Sequence, residues 1–212
     1  MQLDDDALQA LWSIYDASGI RPEYLIPVLF FESAGTFDPS IQNLQGFPAY
    51  GLAQTSGARL AELGITPAAF MALSQGAQIR TAVAPYFGNV VKSHGPIRSA
   101  TRAYQANFEP ATLGHVRGLG QMVDHAGTRD YAANSRALDV LHHSAITVGD
   151  LALVMSRAAA AGPVRAATAR AYVIRPQEAP AHEPIYGEDF LTPAASLALF
   201  AFALGWAATR LF

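Results

Sequence analysis

Glu32 is the residue of this chain whose surroundings best suit it to chemistry. It follows Phe30 and Phe31, and Val28 and Leu29 stand one helical turn before it. Apolar neighbours disfavour the charged carboxylate and raise its pKa. A carboxylic acid still protonated near neutral pH is what cleavage of a glycosidic bond requires, because the alkoxide leaving group is poor until it is protonated. Taken alone, a glutamate at a helix end with Gly35 as terminator is more often an ordinary solvated side chain. A partner carboxylate would settle the chemistry, since two-carboxylate glycosidases hold theirs roughly 5–5.5 or 6.5–9.5 Å apart. Between Glu32 and Gln54 the one acid is Asp38, and Asp38-Pro39-Ser40 reads as a turn or cap. Asp124, in a later loop, is the acid left to activate a water.

Other constellations are thinner. The chain has no cysteine, which removes a thiol nucleophile, a thiolate zinc site and a disulfide framework. Ser33 lies beside Glu32 without a Gly-x-Ser-x-Gly elbow or an oriented base. His142-His143 suggests a metal, but adjacent side chains diverge on a helix or strand and further ligands are missing, so neither metal nor cofactor is expected.

The elements that must position these residues read as helices. Residues 4–18 form the first, with Asp4, Asp5 and Asp6 suited to its N-terminus, Leu8, Leu11, Trp12 and Tyr15 at helical spacing, and Gly19 as its stop. The second runs from Pro22 to Ser33, with Leu25, Val28, Leu29 and Glu32 on one side and Pro27 as a kink or first-turn residue. Further helices are predicted near Gly57–Leu63, Pro67–Leu73, Gly76–Tyr86 and Ile97–Gln105, and Thr147-Val148-Gly149-Asp150 is a capping box ahead of Leu151–Ala161. No alternating strand pattern stands out, so the class is all-α.

Length and charge bound the rest. A chain of 212 residues suits one domain plus an appendage. The net charge of −3, without a basic stripe, argues against a nucleic-acid partner. The acidic start, Met1 to Asp6, is not a signal peptide, so an enzyme acting outside the cytoplasm would need another carrier. The organisation predicted is a helical domain over 1–162, a Pro/Ala-rich linker over 163–189 and a C-terminal transmembrane helix over 190–212. The last has no ionisable group between Phe190 and Thr209, close to the ~20 residues a bilayer requires, with Trp206 and Arg210 suited to an interface. A buried C-terminal helix is the other reading of so much alanine.

Several motifs occur in a telling order. Glu32-Ser33-Ala34-Gly35-Thr36-Phe37-Asp38-Pro39 is followed by Asn43, Gly51-Leu52-Ala53-Gln54, Leu63-Gly64-Ile65-Thr66, Leu73-Ser74 with Gln78, and Val83-Ala84-Pro85-Tyr86-Phe87. Then come Ala103-Tyr104-Gln105-Ala106-Asn107, Tyr131 with Asn134, Leu138-Asp139 and Ile146 to Asp150. Over roughly residues 20–155 this order resembles the goose-type lysozyme and lytic transglycosylase superfamily, especially the transglycosylase domains of phage tail and virion proteins.

The resemblance implies a lysozyme-like fold and a peptidoglycan substrate. It makes Glu32 the catalytic acid and places Ser33, Gly51, Gln54, Tyr104 and Tyr131 at the substrate. Gly51 would allow close backbone approach to the sugar chain, Gln54 would offer its amide, and Tyr104 would face the acid across the cleft. Tyr131 is a second cleft tyrosine or a packed one. The family's Ala-Tyr-Asn-Ala-Gly is altered here to Ala103-Tyr104-Gln105-Ala106-Asn107, which changes the floor of the groove. A calcium-loop-like turn would fall at 139–150, but Leu141, His143 and Ser144 replace the oxygen ligands and the glycine it needs.

With one acid, the resemblance implies lytic transglycosylation, in which the muramic acid 6-hydroxyl attacks and 1,6-anhydro products form. The expected protein is virion-associated, anchored in a membrane by its C-terminus, acting on host periplasmic peptidoglycan during phage genome entry, with other virion proteins as partners. Two alternatives stay open: a hydrolytic muramidase, and a structural virion or channel protein with an idle lysozyme-like domain.

Overall fold

The computed structural model describes residues 1–43 and 48–178. In chain order it runs α1 (Asp5–Ser18), α2 (Pro22–Glu32), β1 (Gln42–Asn43), β2 (Ala49–Tyr50), β3 (Thr55–Ser56), α3 (Gly57–Glu62), α4 (Pro67–Met71), α5 (Gln75–Gln78) and α6 (Ala84–His94). It continues with α7 (Ala100–Phe108), β4 (Met122–His125), α8 (Arg129–Leu138), β5 (Ala145–Thr147), α9 (Val148–Ala160) and α10 (Gly162–Ile174). The fold is mostly helical, as expected.

Helix α2 is the axis of the molecule. Leu25, Ile26, Pro27, Val28 and Leu29 are five successive buried residues, so the helix is apolar on every side. Such a helix must lie inside rather than on the surface. It packs against α7, α9, α10 and α1, which wrap it. The burial explains why its C-terminal residue, Glu32, arrives among protein atoms rather than in water. Pro27 sits in the body of the helix, past its first turn.

Local signals set most helix ends. Asp4 caps α1 by accepting from the Ala7 N–H at 2.7 Å, and Gly19 ends it at φ +74°. The capping box at Thr147 and Asp150 forms as predicted and starts α9. The helix predicted over Gly76–Tyr86 is instead α5, a π-helical turn over Ile79–Val83, and α6.

Two expectations are corrected. The first concerns strands: β1, β2 and β3 form a small antiparallel sheet pairing Gln42 with Tyr50 and Tyr50 with Thr55, and β4 pairs antiparallel with β5. These ladders are two to four residues long, too short for an alternating pattern to register in sequence.

The second concerns the linker said to open at residue 163. Gly162–Ile174 is a helix, and Val164, Ala167 and Ala171 are buried in the core. The Ala171 carbonyl accepts from the Trp12 indole at 2.9 Å, deep in the core. Arg170 pairs with Asp5, Arg175 with Asp16 at 2.6 Å, and the Arg21 guanidinium donates to the Glu178 carbonyl at 2.6 Å. Pro163 lies in the first turn of α10, where its missing N–H costs nothing, so the Gly162-Pro163 pair that ends α9 also begins the next helix. Among the described residues no helix is long and apolar enough to cross a membrane, and the apolar helix predicted over 190–212 lies outside them.

Candidate active site

The loop after α2 is built to hold Glu32 still. Ser33 is fully buried, its Oγ donating to the Phe30 carbonyl at 3.2 Å and accepting from the Phe37 N–H at 2.9 Å. Ala34, Gly35 and Phe37 all take left-handed backbone, which costs a non-glycine residue roughly 1–2 kcal/mol. The strained Phe37 is buried, and its carbonyl accepts from the Gln75 amide at 2.8 Å. Ser33 thus belongs to the support beneath the acid, and its hydroxyl is not free for a ligand.

Two buried glutamines of α5 knot the loops together. Gln75 also accepts from the Asp4 N–H at 2.9 Å and donates to the Gln2 carbonyl. Gln78 accepts from the Leu52 N–H at 3.0 Å and donates to the Pro39 and Phe70 carbonyls at 2.7 and 3.0 Å. The turn at Gly51 is therefore fixed from inside. Gly51 has φ +72°, and a Cβ there would lie 2.3 Å from Gln78 Oε1 and 2.7 Å from the Phe70 ring. A close approach to the protein's own side chains demands glycine here. Gln54, itself left-handed, folds its amide back onto the Gly51 carbonyl at 3.0 Å.

Around Glu32 the groups are Tyr104 and Asn107, both from α7. Asn107 Nδ2 donates to Glu32 Oε1 at 3.0 Å. Tyr104, buried between Phe31 (edge-on, centroids 5.2 Å) and Phe108 (stacked), hydrogen-bonds the same carboxyl. Glu32 keeps partial exposure while protein encloses most of it. Burial pushes its pKa from 4.5 up to about 7, against the lowering pull of the hydrogen bonds from Asn107 and Tyr104. Burial and the neighbouring Glu32 charge raise the Tyr104 phenol well above its ordinary value, so it stays a donor. A carboxyl that titrates near neutrality, oriented by two fixed donors and open to solvent on one side, can give a proton and take one back.

Among the described residues, none of the groups that shift Glu32 is a carboxyl. Asp38 accepts from the Ser40 N–H and hydroxyl at 2.8 and 2.7 Å, forming the expected turn, and those bonds hold it below the usual carboxylate range. Asp124 sits on β4, buried, one oxygen bonded to Thr128 Oγ1 at 2.7 Å. Its charge is felt at Glu109, which burial and then Asp130 and Asp124 push upward.

Tyr131 is elsewhere. Its hydroxyl donates to Asp139 Oδ2 at 2.7 Å, so it closes the loop between α8 and α9 instead of facing the acid. Asp139 and His143 of that loop and Asp150 in the first turn of α9 bring metal-capable atoms within 4.8 Å of one another. Adjacency of His142 and His143 concealed this grouping, because His143 pairs with an aspartate four residues back and another seven ahead. Burial would raise Asp139, but donors from Tyr131, His143 and Ser144 hold it below its usual range. Asp150 likewise accepts from the Leu141 and Thr147 N–H groups and the Thr147 hydroxyl. Both carboxylates are occupied in folding the loop, with the His143 ring nitrogens 3.3 and 3.6 Å from them.

Of the residues predicted for the site, Glu32 and Tyr104 come together, Ser33 braces the loop that follows the acid, Gly51 and Gln54 form a turn held by Gln78 and Phe70, and Tyr131 bonds Asp139 instead. Asn107 was noted only as a departure from a family pattern, although a side-chain amide one helical turn after Tyr104 already signals a group on the same face. Comparison with known proteins adds no relative: no family model, no curated protein and no solved structure matches the chain.

Proposed function

We propose that this chain is a peptidoglycan lytic transglycosylase with Glu32 as its single acid and base. One observation carries the reading: a partly exposed carboxyl whose pKa burial lifts to about 7, oriented by Asn107 at 3.0 Å and by Tyr104, with no carboxyl among the described groups that shift it. In the proposed reaction Glu32 protonates the oxygen linking a muramic acid unit to the next glucosamine. The C1–O bond breaks, the 6-hydroxyl of the same muramic acid attacks C1, and its proton passes to the Glu32 carboxylate. The 1,6-anhydro bond forms without water and the acid is regenerated. Asn107 and Tyr104 stabilise the carboxylate while it is charged and keep it aimed at the bond.

The same reading makes the protein virion-associated, delivered to host periplasmic peptidoglycan by the particle and anchored in a membrane by residues 190–212. Support for the anchor is the uncharged run from Phe190 to Thr209. Mass spectrometry of the muropeptides released by the protein tests the chemistry, because hydrolysis adds a water that transglycosylation does not. Products with 1,6-anhydromuramic ends are expected. Mainly reducing ends would make the enzyme a hydrolytic muramidase, and no product at all would leave the domain a scaffold.

A further inference from the structure

We propose that the groove between α3 and α6 is a saccharide subsite for the same glycan strand, a reading that rests on the function proposed above. The groove has a volume of about 310 Å³ and is lined by Arg59 and Glu62 from α3 and by Tyr86, Asn89, Ser93 and His94 from α6. That size falls at the small end of ligand clefts, ~300–1,000 Å³.

Its chemistry favours a neutral ligand rich in hydroxyl and amide groups. Arg59 and Glu62 pair at 2.8 Å and cancel in charge, which leaves an aromatic ring, an amide, a hydroxyl and an imidazole. A phosphate or an acidic peptide would meet no net positive charge there. Planar polar side chains beside an aromatic ring suit a sugar, whose hydroxyls need partners on the edges and whose carbon face needs an apolar one. Arg59 Nε is buried and has no acceptor in the protein.

The groove is mechanically joined to the acid. Tyr86 donates its hydroxyl to the Ala106 carbonyl at 2.5 Å, and the next residue, Asn107, holds Glu32. Arg59 and Tyr86 both line the groove, and burial pushes the Tyr86 phenol up to about 12 while the Arg59 cation pulls the other way. The last turn of α7 therefore carries the acid's partner and also anchors Tyr86, a residue of the groove wall, as a strand-binding enzyme needs if a sugar away from the cut is to hold the bond in register.

Asn89 and Ser93 are exposed, so Asn89→Ala and Ser93→Trp in the full chain change the groove without touching the core. Kinetics are compared on long peptide-free glycan strands and on a tetrasaccharide of alternating glucosamine and muramic acid. For Asn89→Ala, KM on the long strands should rise about fivefold, the loss of about one hydrogen bond, with kcat unchanged. Ser93→Trp, which fills the groove, should raise it further, and both variants should cut the tetrasaccharide like the wild type. Unchanged KM on strands, or equal losses on both substrates, overturns the subsite. If the wild type cleaves neither substrate, the catalytic reading has failed by itself. Co-sedimentation of the Glu32→Gln protein with sacculi, with and without Ser93→Trp, then decides the groove: weaker binding with tryptophan supports it, and equal binding overturns it.

Discussion

Replacing Glu32 by Gln should abolish activity and, above neutral pH, stabilise the fold. The side chain keeps its shape, its amide oxygen can still accept from Asn107, and the transferable proton is lost. Activity should fall by roughly 10²–10⁴-fold, the usual worth of general acid catalysis. The stability effect follows from linkage. Burial raises the folded-state pKa from 4.5 to about 7, so folding favours the protonated form. The stability this gives is fully present below about pH 4.5 and is lost as pH rises through about 7. Above that pH the native protein holds an ionised carboxylate among apolar groups. A shift of that size corresponds to about 3 kcal/mol, trimmed to about 2–3 kcal/mol because the side chain is partly exposed. For a domain of this size that is a gain of about 5–10 °C in Tm. Thermal melts of both proteins at pH 4.5 and pH 8.5 measure it. Similar melting at pH 4.5 and a more stable variant at pH 8.5 are expected. An equal difference at the two pH values, or a less stable variant at pH 8.5, would show that Glu32 carries no desolvation strain and would refute the argument.

Further outcomes follow from the same geometry. Asn107→Ala removes a donor that favours the charged form of Glu32, so the descending limb of the pH–rate profile should move from about 7 to higher pH by about one pH unit; a limb that stays or moves to lower pH would contradict that role. Gly51→Ala forces a Cβ against Gln78 and Phe70 at φ +72°, and a loss of about 3 kcal/mol is expected in denaturant titrations. A chain ending after Ala161 lacks the helix that covers Trp12 and should not fold, whereas one ending near Gly187 should keep a cooperative melt and its activity. Full-length protein should partition into detergent; a monodisperse chain without detergent would count against the membrane helix.

Much of this was legible along the chain. Asp4, Gly19, Thr147 and Asp150 act on their own helix ends through contacts three or four residues away, so they could be read without knowing the fold. Glu32 stood out because Val28, Leu29, Phe30 and Phe31 directly precede it in the chain. What the chain order hid was set by long-range packing. Helix α10 reads as a linker in sequence because the segment from Gly162 is rich in alanine, proline and charge, and its buried face of Val164, Ala167 and Ala171 has meaning only against the core around Trp12, some 159 residues away. Gly51 needs no Cβ because of Gln78 and Phe70, and Tyr131 turns from the acid to Asp139, neither of which spacing reveals. Asn107 became part of the site because α7 crosses the end of α2, 75 residues earlier in the chain. Sequence by itself determined which residue could be an acid and, where caps and apolar spacing mark them, helices such as α1, α2 and α9, since these depend on near neighbours. Tertiary structure alone decided what surrounds that acid, because burial and hydrogen bonding are properties of packed elements.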